Sequence, residues 1–565
     1  MKRIRQGQGQ GQGQEHAESA PDERESVALL TRPRLASDVL VHEPLDAGAP
    51  WVVQRGSQQY IRVGADLARL LRAMDGERGY AGLVETLGPP WNEREVGRAV
   101  ENLREKGLLD NGKRPRSSGN WFKFVPPLTF QLTLLKPQRL LNALMPLIGR
   151  LANRAGAVLA AVFALGGLLA LLAQGPSLVR ALGEPLPLAV LLGVAAASTV
   201  TTALHEIGHG AVLTYYGGRP SRMGVMLFYL TPAFFCDVSD GWRLPHREQR
   251  VRVALAGIVT QTVVAGTAGC AALVVHLTGG SPTLRDGMTV FAVSTYVTGV
   301  LNLLPFVKLD GYIALMSHLD ASHLRDRAMT DARRLVAKVL FGGRYGRELP
   351  TLSWAPAFGL ACMVFPLYLI GLAFNLWLDF LTGLGVIGAS VVFTALVYLG
   401  YRAWQGGTLL VREARTGGAR PWRMALVGLA AAGGLGAALA FVPVSYTVTG
   451  GFVYEDGGAR LVLSDAADRE AVREGATVTL QRRGLVTRTD LTTGTVGRGD
   501  AEAGTAPLSA FLPVREGDEL PIPALGVPLV LGGDPGENVG VARVTAGERP
   551  LGEWLYLSYI APVWR

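Results

Sequence analysis

Charge is scarce in this chain. Of its 565 residues 18% are Asp, Glu, Lys or Arg, against roughly 25% in ordinary soluble domains. Hydrophobic residues make up 49%, and the mean hydropathy is +0.25. Such a chain is too apolar to consist only of soluble domains and too long to be one of them. Cysteine is nearly absent. Cys236, Cys270 and Cys362 are the only three. They cannot build a disulfide framework, and they lack the paired spacing of a cysteine zinc site. No lysine follows residue 443, which excludes lipoylation or biotinylation of the C-terminal part. The basic start (Lys2, Arg3, Arg5) is not followed by an apolar run, so no cleavable signal peptide is expected.

What is present falls into segments. Residues 1–33 open with a Gln-Gly repeat and stay polar, a composition that buries no core; a disordered tail is expected. Residues 34–112 read as a small α+β domain. Trp51-Val52-Val53 and Tyr60-Ile61-Arg62-Val63 flank a turn at Arg55-Gly56-Ser57 and suggest a hairpin. Helical patterns follow at Ala65–Met74, Tyr80–Leu87 and Glu93–Lys106. The last has Asn92 as cap, Glu95 three residues on, Val96, Val100 and Leu103 on one face, and Gly107 as its stop. A hairpin with three helices suggests a winged-helix shape. DNA binding is disfavoured, because Glu93, Glu95, Glu101 and Glu105 balance Arg94, Arg98, Arg104 and Lys106 on that helix.

Residues 113–154 read as a juxtamembrane linker. Beyond them lie seven apolar stretches near the roughly 20 residues a bilayer needs: about 155–173, 188–213, 253–275, 288–315, 357–381, 384–401 and 424–442. Arginines crowd alternate connections. Arg219, Arg222, Arg243, Arg247, Arg250 and Arg252 follow the second stretch, Arg325 to Arg347 the fourth, and Arg402 to Arg423 the sixth; the other connections hold only Arg180 and Arg285. By the positive-inside rule residues 1–150 are cytosolic and residues 443–565 extracytosolic. The net charge of +9 is therefore membrane topology, and no nucleic-acid partner is expected. Residues 443–565 are strand-like. Val472–Val478 and Val514–Leu520 form a weak repeat, similar to the paired turns of lipoyl-like barrel-sandwich domains in membrane-fusion adaptors. The fold class expected is an α-helical polytopic membrane protein of about seven spans, with an N-terminal winged-helix-like domain and a C-terminal all-β domain.

The chemistry lies in the second and fourth stretches. His205-Glu206-Ile207-Gly208-His209 puts two imidazoles four residues apart, on one helical face. They can share a metal ion, with Glu206 placed to take a proton from a water in the site. Packed histidines beside a buried carboxylate are the alternative, but inside a bilayer such polar groups are costly without a partner. A catalytic zinc site usually takes a third protein ligand. The fourth stretch offers Asn302-Leu303-Leu304-Pro305-Phe306-Val307-Lys308-Leu309-Asp310-Gly311. Counting 1.5 Å per residue from the span ends, His205 and Asp310 lie at similar depth, roughly 8–12 Å below the cytosolic surface. Pro305 is expected to break the helix there, and Asn302 could donate a hydrogen bond to substrate.

An HExxH in one span with N-x-x-P-x-x-x-x-D-G in a later one resembles the site-2 protease family of intramembrane zinc metallopeptidases, over roughly residues 155–318. The resemblance implies one zinc ion held by His205, His209 and Asp310, with Glu206 as general base and Asn302 in a supporting polar role. Residues 319–442 would then be additional helices. Pro232–Trp242 looks like the branch described as peptide zinc metalloproteases; Asp237 and Asp240 within it read better as turn residues, and Cys236 as a ligand would crowd out the water. His246, His318 and His323 read as solvated. The N-terminal domain is similar in element order to the leader-binding domains of ribosomally made natural-product pathways. The implied activity is leader removal from a precursor peptide, similar to the daptide-type maturation metalloproteases. The peptide would be gripped along the hairpin edge and cut at the cell membrane, and the chain could work beside export machinery. The alternatives are a regulatory protease that clips a membrane-anchored signalling protein, and a non-catalytic peptide-export accessory.

Overall fold

The computed structural model describes residues 32–44, 51–55, 59–110, 122–125, 129–228, 231–383, 386–455, 457–463, 469–485, 487–499, 501–515 and 521–561. Almost all of the expected tail, the hairpin turn at Gly56-Ser57 and part of the C-terminal repeat lie outside these residues. The chain divides into two units, residues 1–140 with 216–249, and residues 141–215 with 250–565.

In the first unit, β1 (Val39–His42), β2 (Trp51–Arg55) and β3 (Gln59–Val63) form an antiparallel sheet in that order. It packs with α1 (Ala65–Ala73), α2 (Tyr80–Leu87) and α3 (Glu93–Glu105). The Asn92 side chain accepts the backbone N–H of Glu95 at 2.9 Å, the expected cap. Val53, Leu70, Leu71, Leu83, Val96 and Val100 are buried in the core. The segment read as a linker instead contributes two strands, β4 (Phe122–Val125) and β5 (Thr129–Leu135). These join β6 (Met223–Phe228) and β7 (Thr231–Cys236) in a four-stranded antiparallel sheet. The helix α4 (Gln138–Leu151) completes that stretch.

The second unit is helical, then β. Its helices are α5 (Arg154–Ala173), α6 (Gly175–Gly183), α7 (Leu188–Tyr215), α8 (Arg247–Leu277), α9 (Pro282–Leu303), α10 (Asp310–His318), α11 (Leu324–Phe341), α12 (Ala355–Gly383), α13 (Val386–Thr416) and α14 (Pro421–Phe441). Among the described residues five helices are long and apolar enough to cross a membrane: α5, α7, α8, α12 over Ala355–Leu372, and α14. Seven were expected. The fourth stretch falls short because α9 carries Arg285, Asp286, Asn302 and four threonines, and because it stops at Leu303. The sixth stretch begins at residues outside those described, and its described part, in α13, is not among the five. Arg250 and Arg285, counted as loop charges, are buried in helices. Arg250 pairs with Asp320 at 2.7 Å and Arg285 with Asp286 at 2.7 Å. Where α5 meets α8, Gly167 and Gly266 approach so closely that a methyl group on either would overlap the other helix's backbone, the small-residue contact of membrane helices.

The C-terminal strands are β8 (Pro443–Glu455), β9 (Gly458–Leu463), β10 (Thr477–Arg483), β11 (Arg488–Val496), β12 (Glu502–Pro507), β13 (Pro521–Leu531) and β14 (Val539–Pro550). The order β11-β10-β14-β8-β9-β13 closes through a β11–β13 pairing, so six strands form a barrel, with β12 along the first half of β13. Phe452, Leu461, Val478, Leu480 and Val544 fill it. Closure removes the open edges a sheet otherwise exposes.

Candidate metal centre

The helical repeat of α7 places His205 and His209 on one face, and each ring is only 5% exposed. They stand edge to face, with centroids 4.8 Å apart. Each ring is held from behind by α8. His209 Nδ1 donates to the Val253 carbonyl at 2.7 Å, and His205 Nδ1 meets the Gln261 side-chain oxygen at 3.0 Å. Gln261 in turn donates to the Thr295 carbonyl of α9 at 2.8 Å, which fixes its amide with the oxygen toward the histidine. A carbonyl only accepts, so in the neutral rings both protons sit on Nδ1 and both Nε2 lone pairs point the other way.

They point at Asp310. The helix break expected at Pro305 is present: α9 ends at Leu303, the chain turns through residues 304–309, and α10 begins at Asp310. Gly311 allows this turn to close, since a methyl group there would overlap the Leu303 carbonyl. Asp310 Oδ2 lies 2.9 Å from His205 Nε2 and 3.3 Å from His209 Nε2, while the two Nε2 atoms are 3.1 Å apart. Buried Oδ2 receives no hydrogen bond. Three lone-pair atoms thus face one another at ligand-to-ligand spacing. A tetrahedral zinc site with bonds of about 2.0–2.1 Å has edges of about 3.3 Å. The donor set fits a divalent cation, which would relieve the mutual repulsion of two lone pairs and a carboxylate.

Gly257 supplies a second test of the fit. It lies on α8 between Val253 and Gln261, and a methyl group built on it would overlap Nε2 of both histidines. The missing side chain leaves open the space that an ion shared by those atoms needs. Gly208 is packed just as tightly, because a methyl group there would lie 2.6 Å from Thr260 Oγ1.

Among the described residues His205, His209 and Asp310 are the one His, Cys, Asp or Glu group with this spacing. Glu206 is half-buried on the same turn. Asn302 sits partly buried on the last turn of α9 and makes no hydrogen bond to the triad among the described residues. Asp237 and Asp240 are occupied locally, as turn residues should be. Asp237 accepts from Ser221 and Ser239 and pairs with Arg222; Asp240 accepts the Arg219 N–H and pairs with Arg243. Gln261 and Gly257 were not singled out from the sequence. Gln261 had a signal, an amide inside an apolar stretch; the Val253 carbonyl had none, since any residue supplies one.

Comparison with models of known protein families, with curated proteins and with solved structures finds no match.

Proposed function

We propose that this chain is a membrane-embedded zinc endopeptidase that hydrolyses a peptide bond of a precursor peptide near the arginine-rich, cytosolic face of a cell membrane. The observation that carries this reading is the triangle of two imidazole nitrogens and a carboxylate oxygen inside apolar helices, with Glu206 on the same turn. His205, His209 and Asp310 would hold the ion. Bound there, zinc supplies Lewis acidity that polarises a carbonyl and lowers the pKa of water to about 7.

The chain's own groups do the rest. Glu206 takes the proton of the attacking water as the carbon–oxygen bond forms, then delivers it to the amine as the carbon–nitrogen bond breaks. Asn302 is the candidate for a substrate hydrogen bond. The substrate strand must be extended, because a helical amide is engaged in its own hydrogen bonds. Two edges suit such a strand by β-augmentation: β3 beside β2, and β7, which pairs on one side only among the described residues. In this reading the N-terminal domain grips the leader in the cytosol and the barrel lies outside.

The test uses full-length protein in nanodiscs, loaded with zinc and offered a candidate precursor peptide. Cleavage is expected from the wild type. In Glu206→Gln, bound zinc is expected to be unchanged while kcat falls at least ~100-fold, the usual worth of a positioned base. Undiminished cleavage by Glu206→Gln overturns the hydrolytic assignment.

A further inference from the structure

One stripe of α8 touches both histidines of the triad. Arg250, Val253, Gly257 and Gln261 follow one another at three- and four-residue intervals, so they share a face. Val253 orients His209, Gly257 makes room, and Gln261 orients His205. Arg250 begins the stripe, two turns from Gly257, or about 10 Å along the axis. Its side chain is 4% exposed, and its Nη2 donates to Asp320 Oδ1 at 2.7 Å. A guanidinium this buried within an apolar bundle is expensive unless it is paired.

Asp320 is two residues past α10, the nine-residue helix that starts with Asp310. Its backbone is in the left-handed region at φ 50°, where it ends the helix, and the Ala321 N–H returns to the Met316 carbonyl at 3.1 Å. Helix α10 is therefore a short strut with a fixing at each end. Near Asp310, Gly311 is seated against the Leu303 carbonyl; beyond His318, Asp320 is tied to α8. The two histidines ride on one helix and take their orientation from α8. Asp310 arrives on a separate helix, and needs its own register to that same scaffold.

We propose that the Arg250–Asp320 ion pair is a latch that sets the position of Asp310 against the two histidines, making Arg250 and Asp320 positioning residues for the metal centre. The proposal rests on the metal reading above and extends it to residues that touch neither metal nor substrate.

The probe is Co²⁺, titrated into chelator-stripped full-length protein in detergent and followed by its visible absorption, with Zn²⁺ affinity read by competition. Arg250→Ala and Asp320→Ala are each expected to weaken both metals at least ~10-fold, the size of effect seen when groups behind a metal ligand are removed, and to change the Co²⁺ band shape. Arg250→Lys is expected to recover most of the affinity. The double variant is expected to be no weaker than Arg250→Ala alone. Should Arg250→Ala not fold, Asp320→Ala decides, since Asp320 is half-exposed. Wild-type affinity and spectrum in Asp320→Ala overturn the latch while leaving the metal site standing. A wild-type chain that binds neither metal overturns the metal reading itself.

Discussion

At Gly257 one hydrogen atom where other residues have a carbon decides whether two imidazole nitrogens can share an ion. Gly257→Ala is expected to cut zinc affinity at least ~100-fold, two steps of the usual tenfold loss behind a ligand, because the new methyl group overlaps both Nε2 atoms. Helix content should stay the same, since alanine is the better helix former. Metal content after dialysis against a weak chelator, beside circular dichroism, checks both halves. The three residues that the fold brings together were readable in the chain. His205 and His209 announce themselves by a four-residue spacing, and Asp310 by a carboxylate after a proline break in an apolar stretch. The groups behind them were harder. Gln261 carries a signal only to a reader who treats every amide in an apolar stretch as suspect. Gly257 has no signal of its own, because its role depends on which neighbour it faces.

Local elements were legible where short-range forces define them. Tyr80–Leu87 is helical over the expected residues, and the helix expected over Glu93–Lys106 ends one residue early, at Glu105. Both have strong caps or stops and a clear apolar face. Asn92→Ala is expected to cost about 1 kcal/mol, the worth of an N-cap. In the full-length protein this should appear as roughly five-fold faster amide exchange across the first turns of α3, given that each 1.4 kcal/mol is tenfold. Unchanged exchange would mean that packing of Val96 and Val100 alone fixes the helix. Strands that pair over distance were the elements missed. β5 joins β6 from Thr129↔Phe228 onward, across four helices of which two look like simple spans, and nothing near residue 130 announces a partner a hundred residues away. The short β1 was missed for a different reason: its four residues, Val39–His42, are too few to show a pattern of their own. The fourth apolar stretch was misjudged as one span, although its proline was correctly read as a break.

On the scale of the whole chain, arginine distribution sets the expected sidedness, with residues 1–150 inside and residues 443–565 outside. Two cysteine variants of a protein lacking its native cysteines test it in intact cells with a membrane-impermeant maleimide. Asp534→Cys, exposed after β13, is expected to label at once. Glu85→Cys, exposed on α2, is expected to label only after lysis. The opposite result inverts the topology. The barrel's attachment has a mechanical meaning of its own. α14 ends at Phe441 and β8 begins at Pro443, with Val442 alone between them. Pro443 pairs with Pro550 at the end of β14, and the Leu551 N–H returns to the Val442 carbonyl at 2.8 Å. The barrel thus leaves and re-enters its mount at one point, through a two-stranded neck with no slack. Any load or twist on the barrel passes straight into the shaft beneath it, as torque through a key into a lock, instead of being lost in a swivel.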